Sequence, residues 1–174
     1  TRLFYVLGEQ GMLNPDLPTA PADVLILPMT EDLSPAIALA TALRENGIRG
    51  LLLDIDNTLT LYHDPNLYSP REKAWLDAMK QSGIRMMLLS NNIDPGRLDA
   101  FSRLVGVPNL GNARKPLPCG ARRAVRRMGL EPFEVAVVGD QILTDVAAAH
   151  NAGCRAILVG YFEKEKGLFF AVKR

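Results

Sequence analysis

The chain has 174 residues, 48% of them hydrophobic, and carries a formal net charge of +1. That length and apolar content suffice for one core burying roughly 70% of the unfolded surface, while the charge neither favours nor excludes nucleic acid, and none is expected as a partner. Cys119 and Cys154 lie far apart without ligand spacing, no run approaches the ~18 apolar residues of a membrane span, and no signal-peptide pattern is present, so a zinc site, a disulfide scaffold and a spanning helix are not indicated. The expected setting is a reducing compartment, the cytoplasm.

In chain order, residues 1–33 include a proline-rich, weakly periodic stretch from Gly11 to Pro28 and read as a loosely attached segment of the single domain 1–174. Ser34-Pro35 opens a helix through Leu43 that Gly47 closes. Gly50 leads into Leu51-Leu52-Leu53, an apolar run that reads as a buried parallel strand. Directly after it come Asp54-Ile55-Asp56-Asn57-Thr58-Leu59. Alternation along a strand leans Asp54 and Asp56 to one side, at the carboxyl end where open α/β sheets bind ligands. Two such carboxylates need a cation or a proton to relieve their repulsion. Ser69-Pro70-Arg71-Glu72 reads as a capping box starting a helix with Trp75 and Met79, which Gly83 ends.

The run Ile84 to Leu89 predicts a second strand, ending in Ser90-Asn91-Asn92, whose hydroxyl and amides suit a phosphate oxygen. Pro95-Gly96 begins a short helix around Phe101 and Leu104, and Pro118 begins another that reaches Met128-Gly129, with Lys115 in the loop between them. Val135 to Val138 predicts a third strand ending in Gly139-Asp140-Gln141, with Asp145 on the first turn of a helix from about Ile142 to Asn151. A strand at Ala156–Val159 closes the pattern. Strands alternating with helices imply a Rossmann-like α/β fold: a parallel sheet with helices on both faces.

At these residues the sequence resembles the haloacid dehalogenase-like (HAD) phosphohydrolases. Their pattern of Asp-x-Asp-x-Thr, a Ser or Thr, a Lys, and Gly-Asp with a further Asp is met by Asp54, Asp56 and Thr58, then Ser90, Lys115, Gly139-Asp140 and Asp145. It more closely resembles the YqeG-type members of subfamily IIIA, sharing Asp56-Asn57-Thr58-Leu59, Ser90-Asn91-Asn92, Lys115-Pro116, and a fourth motif of Gly139-Asp140-Gln141 followed by Thr144-Asp145-Val146. Four separated motifs agree in order and spacing from about Glu45 to Val159, where any one alone would be weak. Asn57 stands where many of those phosphatases carry glycine.

The resemblance implies a Mg²⁺-dependent phosphatase. Asp54 is then the nucleophile that forms an aspartyl-phosphate, and Asp56 the acid and base. Ser90 and the Asn91 backbone amide hold the transferring oxygens, with Thr58 a supporting donor, and Lys115 neutralises charge. Asp54, Asp140 and the Asp56 carbonyl hold Mg²⁺, while Asp145 orients water or Lys115. Superfamily members often insert a cap domain after the first or second motif; neither 60–69 nor 92–114 has room for one. YqeG-type proteins are similar to mitochondrial phosphatidylglycerophosphatases, so the expected partner is a lipid head group or other phosphorylated small molecule, with peripheral membrane association.

Plainer readings compete. Strand-end acids serve as turns and caps, Lys115 could be a loop cation, and Asp145 a first-turn dipole partner. His63 and His150 have no companion ligands and read as structural. Arg122, Arg123, Arg126 and Arg127 form a basic stripe opposite Ala124, Val125 and Met128, suited to anionic head groups or simply solvated. The tail Gly167 to Arg174 is apolar and then basic, like an interfacial anchor. The alternative functions are a phosphatase of a soluble sugar phosphate or nucleotide, a phosphate-binding module without turnover, and a receiver-like signalling domain, against which Asp56 argues.

Overall fold

The computed structural model describes residues 34–60, 70–92 and 94–159. The expectations for residues 1–33, for the Ser69 capping box, for His63 and for the tail 167–174 lie outside them. Five parallel strands, β1 (Gly50–Leu53), β2 (Arg85–Leu89), β3 (Asn109–Leu110), β4 (Val135–Gly139) and β5 (Arg155–Leu158), form one sheet in the order β3-β2-β1-β4-β5. Helices α1 (Ser34–Glu45), α2 (Pro70–Gln81), α3 (Pro95–Val105), α4 (Pro118–Met128) and α5 (Ala147–Ala152) connect them.

The period-2 alternation of each strand divides the core in two. Leu51, Leu53, Met86, Leu88, Ala136 and Val138 face α1, α2 and α3, packing with Leu43, Met79 and Phe101 among others. Leu52, Met87, Leu89, Val135 and Val137 face the other way, against Ala121, Ala124, Val125 and Met128 of α4 and Ala149 of α5. Strands with apolar side chains on both faces need helices on both faces, and that is why β1 and β4 read as unbroken hydrophobic runs.

Two elements differ from the sequence reading. β3 is a fifth strand that the sequence did not announce, because Asn109-Leu110 lies between Pro108 and Gly111 and has no apolar run of its own. Its pairing exists because the edge of β2 offers Leu88 and Leu89 as partners. The helix expected over 142–151 is two pieces: a π-helical turn at Ile142–Val146, then α5. Such wide turns concentrate at functional sites, and this one follows Asp140 directly.

The connections run outward from β1 in both directions, to β2 and β3 on one side and to β4 and β5 on the other. The crevice of an open α/β sheet falls at such a reversal, beyond the carboxyl ends of the two central strands. Asp54 follows β1 and Asp140 follows or terminates β4 at that point. Residues 94–114 are spent on α3 and β3, so no cap domain rises from that segment.

Candidate active site

The segment after β1 is a tight turn closed on itself. The Ile55 carbonyl accepts from the amides of Leu59 at 2.9 Å and Thr60 at 3.1 Å, and the Asn57 amide donates to the Thr60 carbonyl at 2.8 Å. Buried Asn57 takes a left-handed backbone, with φ of 61°. Glycine enters that region freely and asparagine more readily than most residues, so Asn57 suits the turn. The turn leaves Asp54 buried, anchored by its amide to the Val138 carbonyl at 2.9 Å, and Asp56 half-exposed at the mouth. Thr58 Oγ1 donates to Asp54 Oδ2 at 3.2 Å.

Lys115 reaches the same point from the loop after β3. Its ammonium donates to Asp54 Oδ1 and, at 2.6 Å, to Asp145 Oδ1, all three groups being buried. Side-chain hydrogen bonds hold that loop in place. Asn91 Oδ1 accepts from the Lys115 amide at 2.7 Å and Asn91 Nδ2 donates to the Lys115 carbonyl at 3.0 Å. The Ala113 amide donates to the Ser90 carbonyl at 3.0 Å, and a Cβ on Gly120 of α4 would collide with the Ala113 backbone, so only glycine lets the helix approach this closely. The Asn91 side chain, whose type suggested phosphate binding, is thus engaged in bracing the lysine loop. Ser90 Oγ accepts from the Asn92 amide at 3.0 Å at the end of β2.

The third contribution comes from β4. Asp140 is buried, including both of its carboxylate oxygens. Asp145 Oδ2 accepts from the Gln141 amide at 3.2 Å, and the Asp145 side chain lies so close over Gly139 that a Cβ there would overlap it. One carboxylate oxygen from each of Asp54, Asp140 and Asp145 lies within 4.8 Å of the others. Three buried acids around one lysine leave excess negative charge in low dielectric, and their oxygen donors suit a hard divalent cation. Asp56 is not part of that carboxylate group. Its Oδ1 instead accepts from Arg97 Nη2 of α3 at 2.5 Å.

The charges act on one another. Burial pushes the Asp54 carboxyl up, the Lys115 ammonium opposes it, and neighbouring Asp145 and Asp140 add to the rise, leaving it at about 7. Burial alone would lower the Lys115 ammonium, but Asp54 and Asp145 more than offset it and hold Lys115 above the ordinary lysine range. The Lys115 ammonium is thus held charged between two buried carboxylates.

Arg97 had no signal in the sequence pattern. It arrives because Asp94 caps α3, accepting from the amides of Gly96 at 2.9 Å and Arg97 at 3.4 Å, which aims the first turn at the site. Of the other sequence-derived residues, His150 is exposed at the end of α5. The stripe arginines are exposed on α4 with Ala121, Ala124, Val125 and Met128 buried behind them. A separate concavity of about 810 Å³ lies at the opposite edge of the sheet, lined by Arg44, Arg49, Arg85, Ser82 and Glu134 among others.

The probable phosphatase YqeG of Bacillus subtilis is 40% identical over 117 residues, covering 67% of this chain and 67% of that protein. The chain belongs to the haloacid dehalogenase-like hydrolases, among the YqeG-type phosphatases. Consistent with that membership, the HAD-hydrolase-like family model matches residues 112–167. The chloroplastic phosphatidylglycerophosphate phosphatase 1 of Chlamydomonas reinhardtii is 28% identical over 125 residues, 68% of this chain, and the match spans only 46% of that longer protein. Among solved structures, the cobalt-bound deoxy-D-mannose-octulosonate 8-phosphate phosphatase YrbI of Haemophilus influenzae shares the fold, with a TM-score of 0.52, 18% identity, and coverage of 66% of this chain and 69% of that one. In this HAD-type phosphatase the clustered acids Asp54, Asp140 and Asp145 are able to take a divalent metal ion.

Proposed function

We propose that the chain hydrolyses a phosphomonoester in two in-line displacements through an aspartyl-phosphate on Asp54, with Mg²⁺ as the metal and a lipid phosphate, of the phosphatidylglycerophosphate kind, as substrate. The observation that carries the reading is the buried Asp54–Lys115–Asp145 chain, with Asp140 beside it and Asp56 at the mouth two residues from Asp54.

In the first step an Asp54 oxygen attacks phosphorus while the bond to the leaving oxygen breaks, and Asp56 gives that oxygen its proton. Asp56 leaves its Arg97 contact and takes up a proton from solvent before it does so. In the second step Asp56 takes the proton of an attacking water, and Asp54 departs as inorganic phosphate forms. Ser90 Oγ and the Asn91 amide hold the transferring oxygens, Lys115 balances charge on Asp54 and the phosphoryl group, and Thr58 steadies Asp54. Asp145 orients Lys115 through their 2.6 Å contact. The metal would sit on Asp54, Asp140 and the Asp56 carbonyl, with Asp145 within the same reach. When bound, it supplies positive charge opposite the phosphoryl oxygens.

The lipid substrate is supported by the likeness to the algal phosphatidylglycerophosphate phosphatase and by the mouth, over which 94–114 raises no cap. The test is Mg²⁺-dependent phosphate release from vesicles containing phosphatidylglycerophosphate, with Asp54→Asn as the blank. Release above the blank is expected. Release from soluble sugar phosphates alone would overturn the lipid assignment, and release equal to the blank on every ester would overturn the phosphatase mechanism.

A further inference from the structure

Among the described residues, the large apolar side chains that remain exposed fall in two places. Leu104, 57% exposed near the end of α3, and Phe133, 66% exposed just before β4, lie toward the amino ends of the strands. Leu117 at 56%, at the start of α4, and Ile142 at 39% and Leu143 at 48%, in the π-helical turn, lie on the two segments that leave the carboxyl ends, two residues beyond Lys115 and two or three beyond Asp140. The segments bearing the innermost charges of the site therefore also carry apolar side chains into solvent. Exposed apolar side chains clustered at the mouth of a site and bordered by polar groups are the kind that mark an interaction surface.

Cations border the same segments. Arg114 is exposed in the loop itself, one residue from Lys115. Arg122 Nη2 donates to the Asn151 carbonyl at 2.9 Å, and Asn151 Nδ2 donates to the Pro116 carbonyl at 3.0 Å, a relay that sets α4, α5 and the Leu117 turn side by side. Arg123 Nη2 donates to the Gly111 carbonyl at 3.5 Å, beside the end of β3. On the same edge, Asp94 spends its carboxylate capping α3 and Asp99 accepts from Asn109 at 2.8 Å. Apolar side chains flanked by arginines match a surface with an anionic head-group layer over hydrocarbon.

Building on the lipid-phosphate reading of the site, we propose that Leu117, Ile142 and Leu143, with Arg114, Arg122 and Arg123 around them, form a rim that docks the mouth on an anionic lipid bilayer. The apolar side chains enter the head-group boundary, the guanidinium groups meet lipid phosphates, and Asp56 and Ser90 come to the level at which a lipid phosphomonoester projects. Substrate is thus met at the surface instead of being drawn fully into water.

The test is co-sedimentation of the full chain with vesicles of phosphatidylcholine and phosphatidylglycerol in equal parts, against phosphatidylcholine alone. It is paired with p-nitrophenyl phosphate turnover and with molecular mass in solution. Leu117→Gln/Ile142→Gln/Leu143→Gln should bind the anionic vesicles about tenfold or more weakly, keep its turnover of the soluble ester, and keep its mass. Phe133→Gln, at a still more exposed apolar group on the opposite edge, should bind as the parent does. Leu143→Gln alone serves if the triple variant folds poorly by circular dichroism, and should show a smaller loss of the same kind. Wild-type protein that fails to bind, variants that bind unchanged, or a change of mass without a change in vesicle binding would each overturn the rim, the last by making it a contact between copies. Loss of soluble-ester turnover in the parent itself would count against the catalytic reading, leaving vesicle binding to judge the rim separately.

Discussion

The two edges of the sheet are built from the same strands and treat charge in opposite ways. At the amino edge, Arg44 donates to the Ser82 carbonyl at 3.3 Å, Arg85 to the Met128 carbonyl at 2.5 Å, and Arg49 pairs with Glu134 at 3.4 Å. These cations are exposed, and each has a local partner in high dielectric, where such a contact is worth little and its removal costs little. At the carboxyl edge, Asp54, Asp140 and Asp145 crowd within 4.8 Å around a lysine that two of them share, out of water. Like charges held together in a buried site oppose folding, and arrangements of this kind concentrate at functional sites. The lesson is that ion pairs at one edge decorate the fold, while the acids clustered at the other have a geometry able to take a divalent cation.

Substitutions should separate the edges cleanly. The largest effect is expected from Asp54→Asn, which removes the proposed nucleophile in a nearly isosteric change. Turnover should fall at least about a thousandfold, while thermal stability without metal holds or rises at pH 8, because one of three crowded charges is gone. Lys115→Met should come next. It strips the shared cation from two buried carboxylates and should cost about 3 kcal/mol in denaturant unfolding of the metal-free protein, with turnover lost as well.

Asp140→Ala should act through the metal. Wild-type melting temperature should climb with added Mg²⁺, since a ligand that binds only the native state stabilises it, and the climb should vanish in the variant. An unchanged metal titration would clear Asp140 of ligation. The pH dependence is subtler. The Asp54 carboxyl is raised from 3.8 to about 7, so between those values the native state holds a proton that the unfolded chain has released. Metal-free stability should therefore decline as pH rises through that window and level off above about 7. Asp54→Asn should lack this decline, and melting curves across pH would detect it. The smallest effect belongs to the other edge: Arg49→Gln should change stability by less than about 0.5 kcal/mol and leave turnover alone.

How much of this could be read from the sequence follows from what each feature depends on. β1, β2 and β4 were legible because strands buried on both faces must be apolar throughout, and Leu51-Leu52-Leu53 and Val135 to Val138 meet that demand locally. Asp54 and Asp140 were legible as acids at the ends of apolar runs, whereas Lys115 joined them only through the resemblance of the separated motifs, its residue type alone reading equally as a loop cation. β3 was not, since Asn109-Leu110 owes its strand to the partner edge of β2 and to no property of its own. The Arg97 contact with Asp56 was hidden for the same reason: 41 residues separate the pair, and only the Asp94 cap and the packing of α3 bring them together. Asn91 illustrates a different limit. Its amide was recognisable as a polar group near the site, but whether it faced ligand or the Lys115 backbone was a matter of loop geometry that residue type does not encode.

The central claim is that Asp54 becomes phosphorylated during turnover, and chemical trapping tests it most directly. Asp56→Asn protein mixed with p-nitrophenyl phosphate and Mg²⁺, quenched in acid and reduced with borohydride, should yield homoserine in place of Asp54 in the tryptic peptide spanning β1, with no conversion at Asp140 or Asp145. Conversion at another carboxylate, or phosphate release by the wild type with none trapped at Asp54, would contradict the account.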